Sequence, residues 1–383
     1  MTPIPFRISF SDLALRDLRE RLKRVRWPDE APGPPWSTGT SVSYMKELVA
    51  YWYDHFDWRA QEAKLNSFHH FTVPIGGIDL HFIHEQGKGS NPMPLLLSHG
   101  WPGSIFEFYK IIPMLIDPVR FGGNPVDAFT IIAPSLPGYA FSFQPGQARF
   151  GIEGIADVFA QLMTHVLGYA RFAAQGGDWG AFIASRLGMV YPERLYGIHL
   201  NMLAVRRDPA IVADPTPEED VFLDQVKYWL KEEMGYIGIQ GTKPQTLAFG
   251  MSDSPAGLAA WIIEKFRAWS DSNGNVEQSF TKDELLTNIT IYWLTGAIGS
   301  AFWPYYSRLH SSWPIPEGAC QQIPVGYAEF PAEMLRPPRS IAEKVYDIRR
   351  WTKMAKGGHF AALEQPEALV HEIREFFRPL RGI

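Results

Sequence analysis

The sequence predicts an α/β fold: a mostly parallel sheet with helices on both faces, preceded by an N-terminal meander and interrupted by an inserted helical lid. Three observations carry that expectation. Short, mostly apolar runs, Leu95-Leu96-Leu97, Phe129-Thr130-Ile131-Ile132-Ala133 and Phe172-Ala173-Ala174, each end in a Gly- or Pro-containing loop, as buried parallel strands covered on both faces require. The third run leads into Gln175-Gly176-Gly177-Asp178-Trp179-Gly180, the small-x-nucleophile-x-small spacing of a sharp strand-to-helix turn. Between residues 202 and 310 the strand rhythm stops, helical segments dominate, and the rhythm then resumes.

Taken in order, Leu15, Leu18, Leu22 and Val25 recur at helical spacing over residues 11–26, and Trp27-Pro28 ends that helix. A Pro/Gly-rich crossing from Ala31 to Trp36 precedes a second, aromatic helix over 44–55. Phe71-Thr72-Val73 and residues 78–84, around Gly76-Gly77, read as a hairpin. After the three core strands, residues 181–189 form the helix behind the turn. The inserted block carries helices over 221–233, 255–269 and 282–298. Strands are expected again over 323–328 and 344–348, and Leu369, Val370, Ile373, Phe376 and Phe377 mark an amphipathic final helix. The expected division is a meander over 1–90, core over 91–201, lid over 202–310 and core again over 311–383.

Composition narrows the function class. Of the 383 residues, 46% are hydrophobic and 20% charged, as in an ordinary globular enzyme; aromatics reach 14%, enough for a deep apolar pocket or an aromatic core. The net charge of −5 comes with no long basic run, which points away from nucleic acid and anionic membranes. A single cysteine, Cys320, excludes an internal disulfide and argues against a cysteine metal site. His69-His70 has no partners spaced as ligands, so neither metal nor cofactor is expected. The first 26 residues are too charged for a signal peptide, and no run of about 18 apolar residues occurs, so a soluble, cytoplasmic chain is expected. Asn288-Ile289-Thr290 matches a glycosylation acceptor by chance on that reading.

The turn after the third strand places Asp178 where the nucleophile of such a turn stands. A carboxylate needs no base to attack carbon, and the alkyl ester it forms must then be hydrolysed by activated water. His359, in Lys356-Gly357-Gly358-His359-Phe360 before the last helix, is the expected base. Nucleophile, acid, histidine is the chain order of an α/β-hydrolase core. The acid that orients the histidine should follow the strand at 323–328; Glu329, Glu333 and Asp347 all qualify by position. The backbone amides of Trp101, in His99-Gly100-Trp101-Pro102, and of Trp179 are expected to converge on one carboxylate oxygen of Asp178 as an oxyanion hole.

These motifs resemble the microsomal-type epoxide hydrolases, a family with soluble fungal and bacterial members. The resemblance rests on Trp27-Pro28-Asp29-Glu30, His99-Gly100-Trp101-Pro102-Gly103-Ser104, Gly177-Asp178-Trp179-Gly180 and Gly357-Gly358-His359-Phe360-Ala361-Ala362, and it runs from the meander to the last helix. It implies that Glu333, in Phe330-Pro331-Ala332-Glu333, is the acid. It also implies two lid tyrosines that hold and protonate the epoxide oxygen. Gly235-Tyr236 before Thr242-Lys243-Pro244 matches the first. Thr295-Gly296 and Ser300 lead to Tyr305-Tyr306, where register favours Tyr305 for the second; Trp303 stands where the family often has a basic residue. The implied partner is a small-molecule epoxide, with no membrane anchor expected and a homodimer left open.

Two other readings are weighed. A haloalkane dehalogenase also places Asp before Trp at the turn but needs no tyrosine pair. A retired hydrolase fold would usually have lost its nucleophile, base or acid, whereas Asp178, His359 and an acid are all in place.

Overall fold

A computed structural model describes residues 2–205, 212, 214–315 and 318–382. Its strands are β1 (Ile4–Phe6), β2 (His70–Ile75), β3 (Ile78–Glu85), β4 (Met93–Ser98), β5 (Phe129–Pro134), β6 (Phe172–Gly176), β7 (Leu195–Leu200), β8 (Val325–Glu329) and β9 (Ile348–Lys353). They form one sheet in the order β1-β2-β3-β5-β4-β6-β7-β8-β9. The pairings β1–β2, β2–β3 and β3–β5 are antiparallel, and from β5 to β9 every pairing is parallel. The expected hairpin is present as β2 and β3. Its two-residue turn, Gly76-Gly77, has φ of +62° and +78°, which glycine adopts without the clash a Cβ would bring.

All residues of β5 and β6 are buried, because helices cover both faces of the parallel region. Asp178–Val190 follows β6 and Pro366–Phe377 is the last α-helix, the latter burying the expected Leu369, Val370, Ile373, Phe376 and Phe377. From β4 the chain goes outward to β5 and then crosses to β6 on β4's other side. The strand order therefore reverses between β4 and β6, and the crevice at their C-terminal ends is where such a sheet binds a ligand.

Three strands differ from expectation, the first being β1, which was not expected. β7 is an additional strand: Tyr196 and His199 break its apolar character, although four of its last residues, Gly197 to Leu200, are buried. The last strand lies at Ile348–Lys353 rather than at 344–348. Tyr346 is used in packing, with its hydroxyl against Ser185 Oγ at 2.9 Å, while β9 is a sheet edge with exposed Arg349 and Lys353, the composition that protects an edge.

Between β7 and β8 the described residues form helices and no strand, among them Pro217–Glu232, Gly235–Thr242, Pro255–Ala268, Lys282–Thr295 and Trp303–His310. The helix expected over 282–298 stops at Thr295, because Gly296 caps it in the left-handed conformation at φ +66°. Asn288 on this helix is buried, taking a hydrogen bond from Ser104 Oγ and donating to the Pro102 carbonyl, both at 2.8 Å. It is an internal tie and no glycan acceptor. The N-terminal helices Asp12–Lys23 and Val42–Asp54 reach the same block through Arg21–Asp253 (2.9 Å) and Lys282–Glu47 (2.8 Å). No single helix among the described residues is long and apolar enough to cross a membrane.

Candidate active site

Asp178 stands at the crevice between β4 and β6 with φ +47°, a left-handed conformation costing about 1–2 kcal/mol for a residue with a Cβ. The turn is held by close backbone contacts: a Cβ on Gly176 would strike Gly180, and one on Gly180 would strike the Ser98 carbonyl at the end of β4. The strain lifts the carboxylate out of the sheet at the first turn of Asp178–Val190, where the helix dipole favours negative charge. Gly100 lies so close that a Cβ there would overlap the Asp178 carboxyl. This approach lets the Trp101 amide donate to Asp178 Oδ1 at 2.7 Å. The second expected donor, the Trp179 amide, makes no hydrogen bond to Asp178 among the described residues; one amide engages the resting carboxylate.

His359 Nε2 is 3.5 Å from Asp178 Oδ2. On its other side, Nδ1 faces both carboxylate oxygens of Glu333, at 2.9 and 3.0 Å. Of the three acids left open by spacing, Glu333 is the one at the histidine. Glu329 accepts from the Trp351 indole at 2.8 Å, and Asp347 pairs with Arg349. The Glu333 and His359 loops are stitched together, with Ala332 bridging Gly358 and its amide donating to the Gly357 carbonyl at 3.0 Å. The helical block fixes the His359 loop from the opposite side, since His359 N–H donates to the Trp269 carbonyl (2.8 Å) and Gly357 N–H to Asp271 (2.9 Å).

Burial alone would lower the His359 pKa, but the negative charge of Glu333 and the hydrogen bonds to Asp178 and Glu333 outweigh it and hold the ring well above its ordinary value. In the resting site an imidazolium thus lies between two carboxylates. Esterifying Asp178 would remove its share of that stabilisation and free the ring to act as a base.

Opposite the elbow, Tyr236 and Tyr305 are both buried, their rings 5.7 Å apart at 76°. The Trp101 ring stacks on Tyr236 at 5.5 Å, and Trp179 meets Tyr305 edge-on at 4.7 Å. Burial, with Tyr236 and Asp178 nearby, raises the Tyr305 phenol well above its ordinary pKa, so at neutral pH it is a proton donor. Tyr306 points away, stacked between Trp303 and His310. Asp178, Tyr236 and Tyr305 share the wall of a cavity of about 330 Å³ whose other walls include Phe182, Trp229, Met234 and Trp313.

A second, smaller cavity of about 20 Å³ touches Asp178 from behind and is lined by Glu107, Gln175, Asn201 and His359. Sequence reading missed Glu107, Gln175 and Asn201 as neighbours of Asp178. Gln175 donates to Asn201 Oδ1 at 2.8 Å, and Asn201 Nδ2 reaches the His359 carbonyl at 3.5 Å. Asn201 directly follows the unanticipated β7, and recognising that strand would have been the signal. His69 and His70 take structural bonds to Glu85 and to the Leu65 carbonyl, and no group of three or more His, Cys, Asp or Glu among the described residues could hold a metal.

An Asp at a strand-to-helix elbow, with a His–Glu pair beside it and a helical block between the strands that carry them, defines a hydrolase of the alpha/beta hydrolase fold; the model of that fold matches residues 93–270. The model described as the epoxide hydrolase N terminus matches residues 3–108. A chain from Stigmatella aurantiaca (strain DW4/3-1) is 42% identical over 379 residues, spanning 99% of this chain and 85% of that one. Epoxide hydrolase 1 of Oryctolagus cuniculus is 37% identical over 400 residues, spanning 97% and 88%. The structure of Aspergillus niger epoxide hydrolase superposes with a TM-score of 0.87 at 29% identity, covering 99% of this chain and 97% of that one. The chain belongs to the epoxide hydrolase family.

Proposed function

We propose that this chain hydrolyses small apolar epoxides to vicinal diols through an ester of Asp178. The observation that carries the reading is the position of Asp178, which faces the tyrosine-walled cavity on one side and His359 Nε2 on the other. The helices between β7 and β8 act as the lid that closes this cavity, and the segments 1–90, 91–201, 202–310 and 311–383 divide into meander, core, lid and core.

In the first step an Asp178 oxygen attacks an epoxide carbon. The carbon–oxygen bond of the ring breaks, and the departing alkoxide takes a proton from one tyrosine while hydrogen-bonded to the other. A poor leaving group thus leaves as a hydroxyl. Once Asp178 is esterified, the His359 imidazolium gives up its Nε2 proton, which restores the tyrosine; in the second step the neutral ring, held in one tautomer by Glu333, takes a proton from water, and the water oxygen bonds to the Asp178 carboxyl carbon. The amide of Trp101 stabilises the resulting oxyanion, joined by that of Trp179 once charge develops there. As the ester bond breaks, His359 returns its proton to the diol oxygen. The proton left on the Asp178 carboxyl returns to His359 and restores the resting imidazolium, so the net change is epoxide plus water to diol.

Glu333→Gln keeps a hydrogen-bonding partner at Nδ1 but loses tautomer control and the charge that stabilises the imidazolium. Ester hydrolysis should fall by about 10⁴-fold or somewhat less, while alkylation should change little. Glu329→Gln should change neither step, because Glu329 is bound to Trp351. Equal losses in both variants, read by single-turnover kinetics, would overturn the assignment of the acid. The function itself is tested by incubating the protein with aryl, alkyl and disubstituted epoxides and chloroalkanes. Diol should form from the epoxides; chloride release at rates rivalling diol formation would favour the dehalogenase reading instead.

A further inference from the structure

The small cavity behind Asp178 has a size and lining that the ester mechanism leaves unused. At about 20 Å³ it has room for one water molecule, which needs about 10–15 Å³ of such volume and two to four polar partners. Its walls carry His359 and Asp178, the base and the ester carbon of the second half-reaction, and on the far side Glu107 and Gln175. Gln175 Oε1 is buried without a hydrogen-bond partner among the described residues, an acceptor whose burial is costly unless it is met. Glu107 follows the Trp101 loop on the short helical turn Ile105–Phe108, and it comes so close to Gly103 that any side chain there would overlap its carboxyl. Glycine at 103 leaves that space to the carboxyl of Glu107.

We propose that Glu107 is a positioning residue for the hydrolytic water, holding it in this cavity together with Gln175 so that it attacks the Asp178 ester from the side opposite the substrate. The water donates one O–H to His359 Nε2, which takes that proton, and its other O–H to Glu107 or Gln175; its lone pair then faces the ester carbon. No proton passes to Glu107. Burial is the main reason its carboxyl is pushed up to about 8, with the nearby His359 opposing and the Asp178 charge adding to the rise. At neutral pH it is therefore mainly the uncharged acid, and it adds no second anion to the one that must attack the epoxide.

This inference rests on the ester mechanism, and the two fail differently. In single-turnover experiments on the full chain, ester formation and decay are followed separately by intact mass. Glu107→Leu removes the hydrogen bond and should slow ester decay about a hundredfold, the order of loss expected for a misplaced reactant. Its alkylation should stay within about threefold, since the substrate cavity lies on the other side of Asp178. Glu107→Gln, which mimics the uncharged acid, should restore decay to within about fivefold of the parent. If the Leu variant does not fold, Glu107→Asp withdraws the carboxyl by one methylene and should slow decay about tenfold with alkylation unchanged. Parent-like decay in the folded Leu or Asp variant would overturn the proposal. So would alkylation falling in step with decay, which would mean only a structural role. No ester in the parent protein would instead contradict the underlying mechanism.

Discussion

Replacing His359 by Gln should turn the protein into a trap that reacts with one equivalent of epoxide and holds it as an ester on Asp178. Alkylation needs the Asp178 carboxylate and the two phenols, none of which the substitution removes. Decay of the ester needs a base, and losing one costs about 10²- to 10⁴-fold. Intact mass should therefore show a stable adduct of substrate mass on every active molecule, with diol formation limited to less than one turnover over the time in which the parent completes many. The pH dependence supplies a sign. In the resting protein His359 is held protonated by Glu333 and Asp178; after esterification only Glu333 remains to do so. The rise of ester decay with pH should thus fall at lower pH than the titration of His359 in the unreacted protein. A folded variant that neither reacts nor accumulates adduct would give His359 another role.

The tyrosine pair should show the opposite pattern. Tyr236→Phe and Tyr305→Phe each remove one donor and keep the ring that packs on Trp101 or Trp179, so folding should be retained. Loss of one donor aimed at a developing charge costs about 3 kcal/mol, a hundredfold or somewhat more in rate. The double variant should lose at least about 10⁴-fold if the two costs add, since the alkoxide would leave with neither hydrogen bond nor proton. Because the loss lies in ring opening, no ester should accumulate, unlike in His359→Gln. Tyr306→Phe, whose ring stacks on Trp303 and His310 away from the cavity, should leave both steps unchanged. Near-normal alkylation by the Tyr236/Tyr305 double variant would place the proton source elsewhere.

The residues legible in the sequence were those whose chemistry is tied to a local turn. Asp178 could be read because the elbow demands small neighbours at fixed spacing, and Gly176 and Gly180 fill that need by direct backbone contact. His359 could be read because its glycine loop precedes the final helix. The acid could not be chosen by spacing: Glu329 ends β8 and Glu333 lies just beyond it, and only the bridge from Ala332 to Gly358 brings one of them to the histidine. β7 and β9 escaped because sheet position, rather than local pattern, decides what they bury: β7 carries a buried His199, and β9 is a polar edge. Glu107, Gln175 and Asn201 meet behind Asp178 only once the end of β6 and the segments after β4 and β7 converge. Nothing in the local sequence around any one of them announces that meeting.

The most direct test of the account is where oxygen from water first goes. A single turnover in ¹⁸O-water, with protein in excess over epoxide, should leave the label on the Asp178 carboxylate and give a diol whose new oxygen came from the protein. Peptide mass analysis should place the label on the fragment carrying Asp178. Label in the diol of that first turnover, with none on the protein, would mean that water attacks the epoxide directly, and the ester mechanism would be wrong.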